Sequence, residues 1–340
     1  MSLPHRIRKV LGGCLLSLVI IWLLGAILLT SPTICYWNER LGLPVPVSGT
    51  YKQEREENWN SFRYGDLGLE ASDAQRASAS KPKILIFGDS YIEADMIRPD
   101  ERVQARLSEM GIYSVGIRVS GNSCVEYHHL MGIYNRIIPN VTTNVILIAD
   151  ISDILPPKDV ADFDSMKPSY PFRKQEGKLG EISYRFRLMA FRNLLKKGRN
   201  AWKNGFDLTG NHWRKGPSIK ETIDTSHYEE YWHSMLKALK SQAPNGRLLI
   251  VYAPTIPRIQ DNVISFEDRD SVIFRRFEMV CEQYNLSGGG ILNVGKNFCE
   301  YYRTTGRLPR GFFNTLPGEG HLNAEGHRIV AEVIAEALAK

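Results

Sequence analysis

Two short segments carry residue types that could act together as a nucleophile and a base. The first is Gly88-Asp89-Ser90, which directly follows the continuous apolar run from Ile84 to Phe87. Such a run is expected of a strand buried on both faces of a parallel sheet. Parallel sheets bind ligands beyond the carboxyl ends of their strands, so Ser90 would present its hydroxyl in that crevice. Backbone N–H groups of the following turn would aim at the same point, which suits a nucleophile beside an oxyanion donor. The second segment is Gly318-Glu319-Gly320-His321-Leu322-Asn323-Ala324-Glu325-Gly326-His327. His321 ends a loop, and Asn323 can cap a helix with apolar Ile329, Val330, Val333, Ile334 and Leu338. A histidine just before a closing helix can return to the first strand's crevice and serve as a base. Taken alone, it reads as a capping or surface residue. His327 falls inside the helix and reads as structural.

The elements that must position these residues alternate along the chain. Pro99 and Asp100 open a helical pattern with Val103, Leu107 and Met110 inward and Gly111 as its stop. A β-rich stretch from Tyr113 to Val119 runs into Ser120-Gly121-Asn122, and a second helical piece covers about Val125 to Ile138. Val145 to Ala149 reads as another buried strand. Further on come a helix near Tyr228 to Lys240, a strand from Leu248 to Tyr252 and a helix from about Val272 to Tyr284. A last strand, Ile291 to Val294, and a closing helix, Ala324 to Ala339, complete the pattern. Strands alternating with helices specify the α/β class: a parallel sheet with helices on both faces, in three layers.

Between these elements lies an insertion at about 158–220, with fifteen Lys or Arg against six Asp or Glu. Aromatic residues are interleaved, among them Tyr170, Tyr184, Trp202 and Trp213. It reads either as a surface for an acidic ligand, lipid headgroup or sugar face, or as a helical cap with solvated charges. Near the N-terminus, Val10 to Leu29 is an uncharged run of twenty residues, enough at 1.5 Å per residue to cross a hydrocarbon core of about 30 Å. His5, Arg6, Arg8 and Lys9 precede it, so the positive-inside rule leaves the N-terminus cytoplasmic and exports the remainder. Cleavage as a signal peptide competes with this reading, but no Ala-x-Ala site follows the run. The expected organisation is a cytoplasmic tail (1–9), a transmembrane signal anchor (10–30), a juxtamembrane linker (31–80) and an α/β domain (81–340). The chain is 43% hydrophobic and 24% charged, which excludes disordered, collagenous and disulfide-scaffold classes. A net charge of +6 over 340 residues gives no case for nucleic acid. The five cysteines show no zinc-like spacing, and neither a phosphate loop nor a metal-ligand cluster is present, so no cofactor or metal is expected.

Together these residues resemble the SGNH/GDSL hydrolase superfamily, from about Lys83 to the C-terminus. Ile86-Phe87-Gly88-Asp89-Ser90 matches the family's first block, with Ser90 as nucleophile and its N–H as an oxyanion donor. Val119-Ser120-Gly121-Asn122-Ser123 matches the second, which implies that Gly121 N–H is another donor. The third block normally reads Gly-x-Asn-Asp; here Asp150-Ile151-Ser152-Asp153 follows the strand, so Ser152 stands for the asparagine that gives the third oxyanion hydrogen bond. The last block is usually Asp-x-x-His, and Gly318 occupies the Asp position. Glu319, two residues before His321, resembles the Asp-Gly-His-Leu-Asn variant of exported members and would orient the imidazole instead. The resemblance implies a flavodoxin-like SGNH hydrolase fold and acyl transfer through Ser90 with His321 as base. Anchored members of the family are often tied to exopolysaccharide acetylation. The expected function is thus an extracytoplasmic, single-pass membrane esterase or O-acyltransferase acting on acyl esters of a polysaccharide, alongside export or acetylation machinery. A non-catalytic glycan-binding or assembly subunit and a lipolytic esterase are the alternatives.

Overall fold

The computed structural model describes residues 12–20, 23, 35–54, 59–118, 123–156, 163, 226–260, 263–268, 271–284, 286, 290–312, 315 and 317–339. Two antiparallel hairpins come first: β1 (Cys35–Asn38) with β2 (Leu43–Pro46), and β3 (Gly49–Glu54) with β4 (Trp59–Tyr64). Helix α1 (Ala71–Ser78) follows, capped by the Glu70 carboxylate, which accepts from Ser72 N–H at 2.9 Å. The central elements are β5 (Lys83–Gly88), α2 (Ser90–Glu93), α3 (Val103–Glu109), β6 (Ser114–Arg118), α4 (Cys124–Ile137) and β7 (Val141–Ile148). Then come α5 (Ser226–Gln242), β8 (Leu248–Tyr252), the short hairpin β9 (Arg258–Gln260) and β10 (Val263–Ser265), α6 (Ser271–Glu282), β11 (Ile291–Asn293), α7 (Gly295–Thr305) and α8 (Ala324–Ala339).

Five strands form one parallel sheet in the order β11-β8-β7-β5-β6. Every residue of β5 is buried, as its apolar run anticipates for a strand covered on both sides. Side chains alternate across the pleat. Leu85 and Phe87 join Ile146, Ile148 and Ile250 in a core shared with α4, α5 and α6. Ile84 and Ile86 join Val145, Leu147 and Leu249 in a second core with α3, α7 and α8. Each such buried side chain contributes about 1.5–3 kcal/mol relative to exposure. The fold is therefore α/β, with helices on both faces of the sheet. Counted along the chain, the central strands lie in the order 2-1-3-4-5, which reverses at β5. That reversal opens a crevice at the carboxyl end of β5.

The stretch expected to be a linker is structured where it is described. Leu41, Leu43, Val45, Leu69 and Ala77 are buried in the first core. Helix α1 packs on edge strand β6: Arg76 Nε donates to Ser114 O at 2.8 Å, and the buried Asp73 carboxylate accepts from Gly116 N–H at 3.2 Å. The prolines of β2 and the Ala/Ser-rich run of α1 look like loop because one-sided burial needs few apolar residues. Of the expected membrane anchor, residues 12–20 are helical, with Leu15, Leu16 and Leu18 exposed, and most of the rest of that run lies outside the described residues. Among the described residues, no helix is long and apolar enough to cross a membrane. The basic insertion also lies outside them except for Phe163, which is buried edge-on against Tyr231.

Candidate active site

Ser90 sits at the strand-order reversal, as the first residue of α2, with Asp89 alone between it and the end of β5. Gly88 makes that turn possible: a Cβ there would lie 2.4 Å from Ile92 Cγ1, so only glycine lets α2 fold back on the strand end. Asp89 caps α2, its carboxylate accepting from Tyr91 N–H at 3.0 Å. Burial raises the Asp89 pKa; the Tyr91 N–H, the nearby His321 and hydrogen bonds from the Ser90 hydroxyl and N–H oppose the rise. The Ser90 hydroxyl lies 2.8 Å from His321 Nε2 and 3.4 Å from Asp89 Oδ2. Both Ser90 and His321 are half-buried.

The imidazole arrives from 231 residues away. Its backbone is zipped to the segment 308–311: Gly311 N–H donates to His321 O at 2.9 Å, Asn323 N–H to Pro309 O at 3.1 Å, and Arg310 forms a bridge with Leu322. Asn323 Oδ1 caps α8 by accepting from Glu325 and Gly326 N–H, both at 3.1 Å, while its Nδ2 donates to Leu308 O at 2.7 Å. On the other side, Gly318 (φ 79°) presses on the β9 approach, where a Cβ would meet Pro257 O at 2.6 Å. The His321 ring packs on Tyr91, with centroids 4.6 Å apart. His327 is fully buried in α8 and accepts from Val103 N–H through Nδ1 at 3.3 Å, joining α8 to α3. Burial, aided by Arg102 and His321, pushes its pKa down to about 3.

No family model and no curated protein matches the chain. Among solved structures, one titled "Crystal Structure of TesA" aligns with 75% of this chain and 97% of that chain, at 11% identity and a TM-score of 0.38. A likeness at that level carries no weight for fold or function.

Of the residues singled out in the sequence, the structure brings Ser90 and His321 together. Glu319 is half-buried, and its carboxylate makes no hydrogen bond or ion pair with any described residue. Ser152 lies exposed in a 3-10 turn, its N–H donating to Asp150 Oδ1 at 2.8 Å. Gly121 lies outside the described residues. Sequence reasoning gave no role to Asp153, which lies near Asp89, or to Tyr91 and Arg310, which adjoin the pair. Asp153 is buried, accepts from Ala149 N–H at 3.3 Å and has its pKa raised by burial and then by Asp89. Tyr91 supplies the ring under His321. Arg310 is buried, and its Nη1 donates to Tyr91 Oη at 2.8 Å and Gly320 O at 3.2 Å. Asp153 stood in view as the last residue of a motif; Arg310, in Leu-Pro-Arg-Gly-Phe, carries no local pattern that would mark it. A serine hydroxyl bonded to an imidazole at a sheet crevice can give up its proton as it attacks an electrophilic carbon.

Proposed function

We propose that this protein is an SGNH-type serine esterase or O-acyltransferase, held at the extracytoplasmic face of a membrane by residues 10–30 and acting on acyl esters of a polysaccharide. The observation that carries the chemistry is the 2.8 Å contact between Ser90 Oγ and His321 Nε2 at the carboxyl end of β5. In the first half-reaction Ser90 Oγ bonds to the ester carbonyl carbon, its proton passes to His321, and the carbonyl electrons move onto oxygen. On this reading the Ser90 and Gly121 N–H groups and the Ser152 hydroxyl receive that oxyanion. Collapse breaks the bond to the alcohol, which leaves with the proton from His321. In the second half-reaction a water or sugar hydroxyl gives its proton to His321 and attacks the acyl carbon, and collapse breaks the bond to Ser90 Oγ, which takes that proton back from His321. Water makes the enzyme an esterase; a sugar makes it a transferase. The polysaccharide and membrane assignments rest on the sequence resemblance and on the uncharged N-terminal run.

Hydrolysis of p-nitrophenyl acetate by the detergent-solubilised full chain tests this function. Activity that Ser90→Ala abolishes supports it, and equal rates for the two proteins overturn it. One observation favours a second reading, a non-catalytic glycan-binding or assembly subunit: the Glu319 carboxylate engages no described residue. Glycan binding without Ser90-dependent turnover would select it.

A further inference from the structure

We propose that Arg310 is the positioning residue of this site, holding the His321 base and the Ser90 turn against one rigid edge of the sheet. The inference rests on reading Ser90 and His321 as the reacting pair. Arg310 is 2% exposed. Its Nε donates to Pro254 O at 3.1 Å, and its Nη2 donates to Ala149 O at 3.1 Å and to Ala253 O. Ala149 and Ala253 are the first residues beyond β7 and β8. With the two Nη1 bonds to Tyr91 and Gly320, the guanidinium makes five hydrogen bonds, matching its full complement of five donors.

The targets of Nη1 give the role. Tyr91 follows Ser90 in the chain, and Gly320 precedes His321, so one nitrogen reaches the immediate neighbour of each reacting residue. The remaining donors are fixed to the ends of two central strands. The guanidinium carbon also lies 4.9 Å from the Tyr91 ring centroid, on a ring that itself packs against His321. Nucleophile and base come from opposite ends of the domain, and Arg310 refers both to the same strand ends. Lysine cannot substitute, because its ammonium is a compact charge without the planar fork. A misplacement of about 1 Å between reacting groups costs on the order of 10²-fold in rate.

The test measures the acylation burst of the full-length protein with p-nitrophenyl acetate, for wild type, Arg310→Lys, Tyr91→Phe and the double variant. Thermal melting monitors the folded fraction. Arg310→Lys should acylate about 10²-fold more slowly with KM within about twofold of wild type, at a rate computed per folded molecule. Tyr91→Phe keeps the ring and removes one bond of the five, so its loss should be smaller, about 3- to 10-fold, and should not multiply with that of Arg310→Lys. Folded Arg310→Lys acylating at the wild-type rate overturns the role of Arg310 alone. If Arg310→Lys fails to fold, an unchanged acylation rate in Tyr91→Phe overturns it equally. A wild type with no Ser90-dependent burst overturns the reading of the pair, and the role of Arg310 with it.

Discussion

The nucleophile turn and the base loop reach the same crevice by opposite routes. Ser90 is placed by its own chain neighbours: a buried strand before it, a glycine that admits the tight return of Ile92, and an aspartate that caps the next turn. His321 is placed by residues far from the strand it serves. Its backbone pairs with 309–311, its following helix is capped by Asn323, and that helix is tied to α3 through His327. A locally built nucleophile survives changes elsewhere in the domain, whereas a remotely built base depends on several separate contacts. Mutations can therefore separate geometry from folding more cleanly on the base side.

The largest effect should come from removing the base itself. His321→Ala should lower kcat/KM on p-nitrophenyl acetate by about 10⁴-fold with a melting temperature near wild type. A loss of only a few-fold would show that Ser90 is activated by something else. The two glycines come next and should differ in kind. Gly88→Ala forces a methyl against Ile92 inside the core and should cost about 1–3 kcal/mol of global stability by denaturant titration. Gly318→Ala puts a side chain at positive φ and against a backbone carbonyl in a loop. Its activity should fall at least tenfold while the denaturation midpoint moves less than in Gly88→Ala. The reverse pattern would break the comparison between local and remote construction.

His327 tests the tie between the two sides through pH. Its folded pKa of about 3 lies below the ordinary 6.5, so below pH 6.5 the unfolded chain binds a proton that the folded one refuses. Its effect on stability is absent above about pH 6.5 and becomes a loss that grows as pH falls toward 3, at up to about 1.4 kcal/mol per pH unit. Denaturation of His327→Gln between pH 7 and 4 should show a shallower decline by up to one proton's worth of slope. An unchanged slope would mean that His327 is protonated in the folded chain.

What could be read from the sequence follows the same division. The buried strands Ile84–Phe87 and Leu248–Tyr252, and the closing helix from Ala324, stand out because hydrophobic period and cap chemistry are local signals. Ser90 is visible for that reason. The meeting of His321 with Ser90 could be proposed from residue types and family resemblance, but no spacing along the chain encodes a contact across 231 positions. In the sequence, hairpins β1–β4 read as linker because their pairing is made by backbone, and α1 does so because its buried face is mostly small or polar, with Asp73 and Ala77 inward. Arg310 was invisible since a lone arginine beside a proline and a glycine has the local appearance of exposed loop.

The smallest expected effect concerns Glu319. Because its carboxylate meets no described residue, Glu319→Gln should change acylation by no more than a few-fold. A loss approaching that of His321→Ala would instead make Glu319 the third member of a triad.

The most direct test of the central claim is covalent labelling of the folded full-length protein by a fluorophosphonate, with the modified residue mapped by peptide mass spectrometry. Modification at Ser90 in wild type, lost in Ser90→Ala and strongly slowed in His321→Ala, is the result this account predicts. A folded protein that takes no label at Ser90, or that is labelled equally fast without His321, would contradict it.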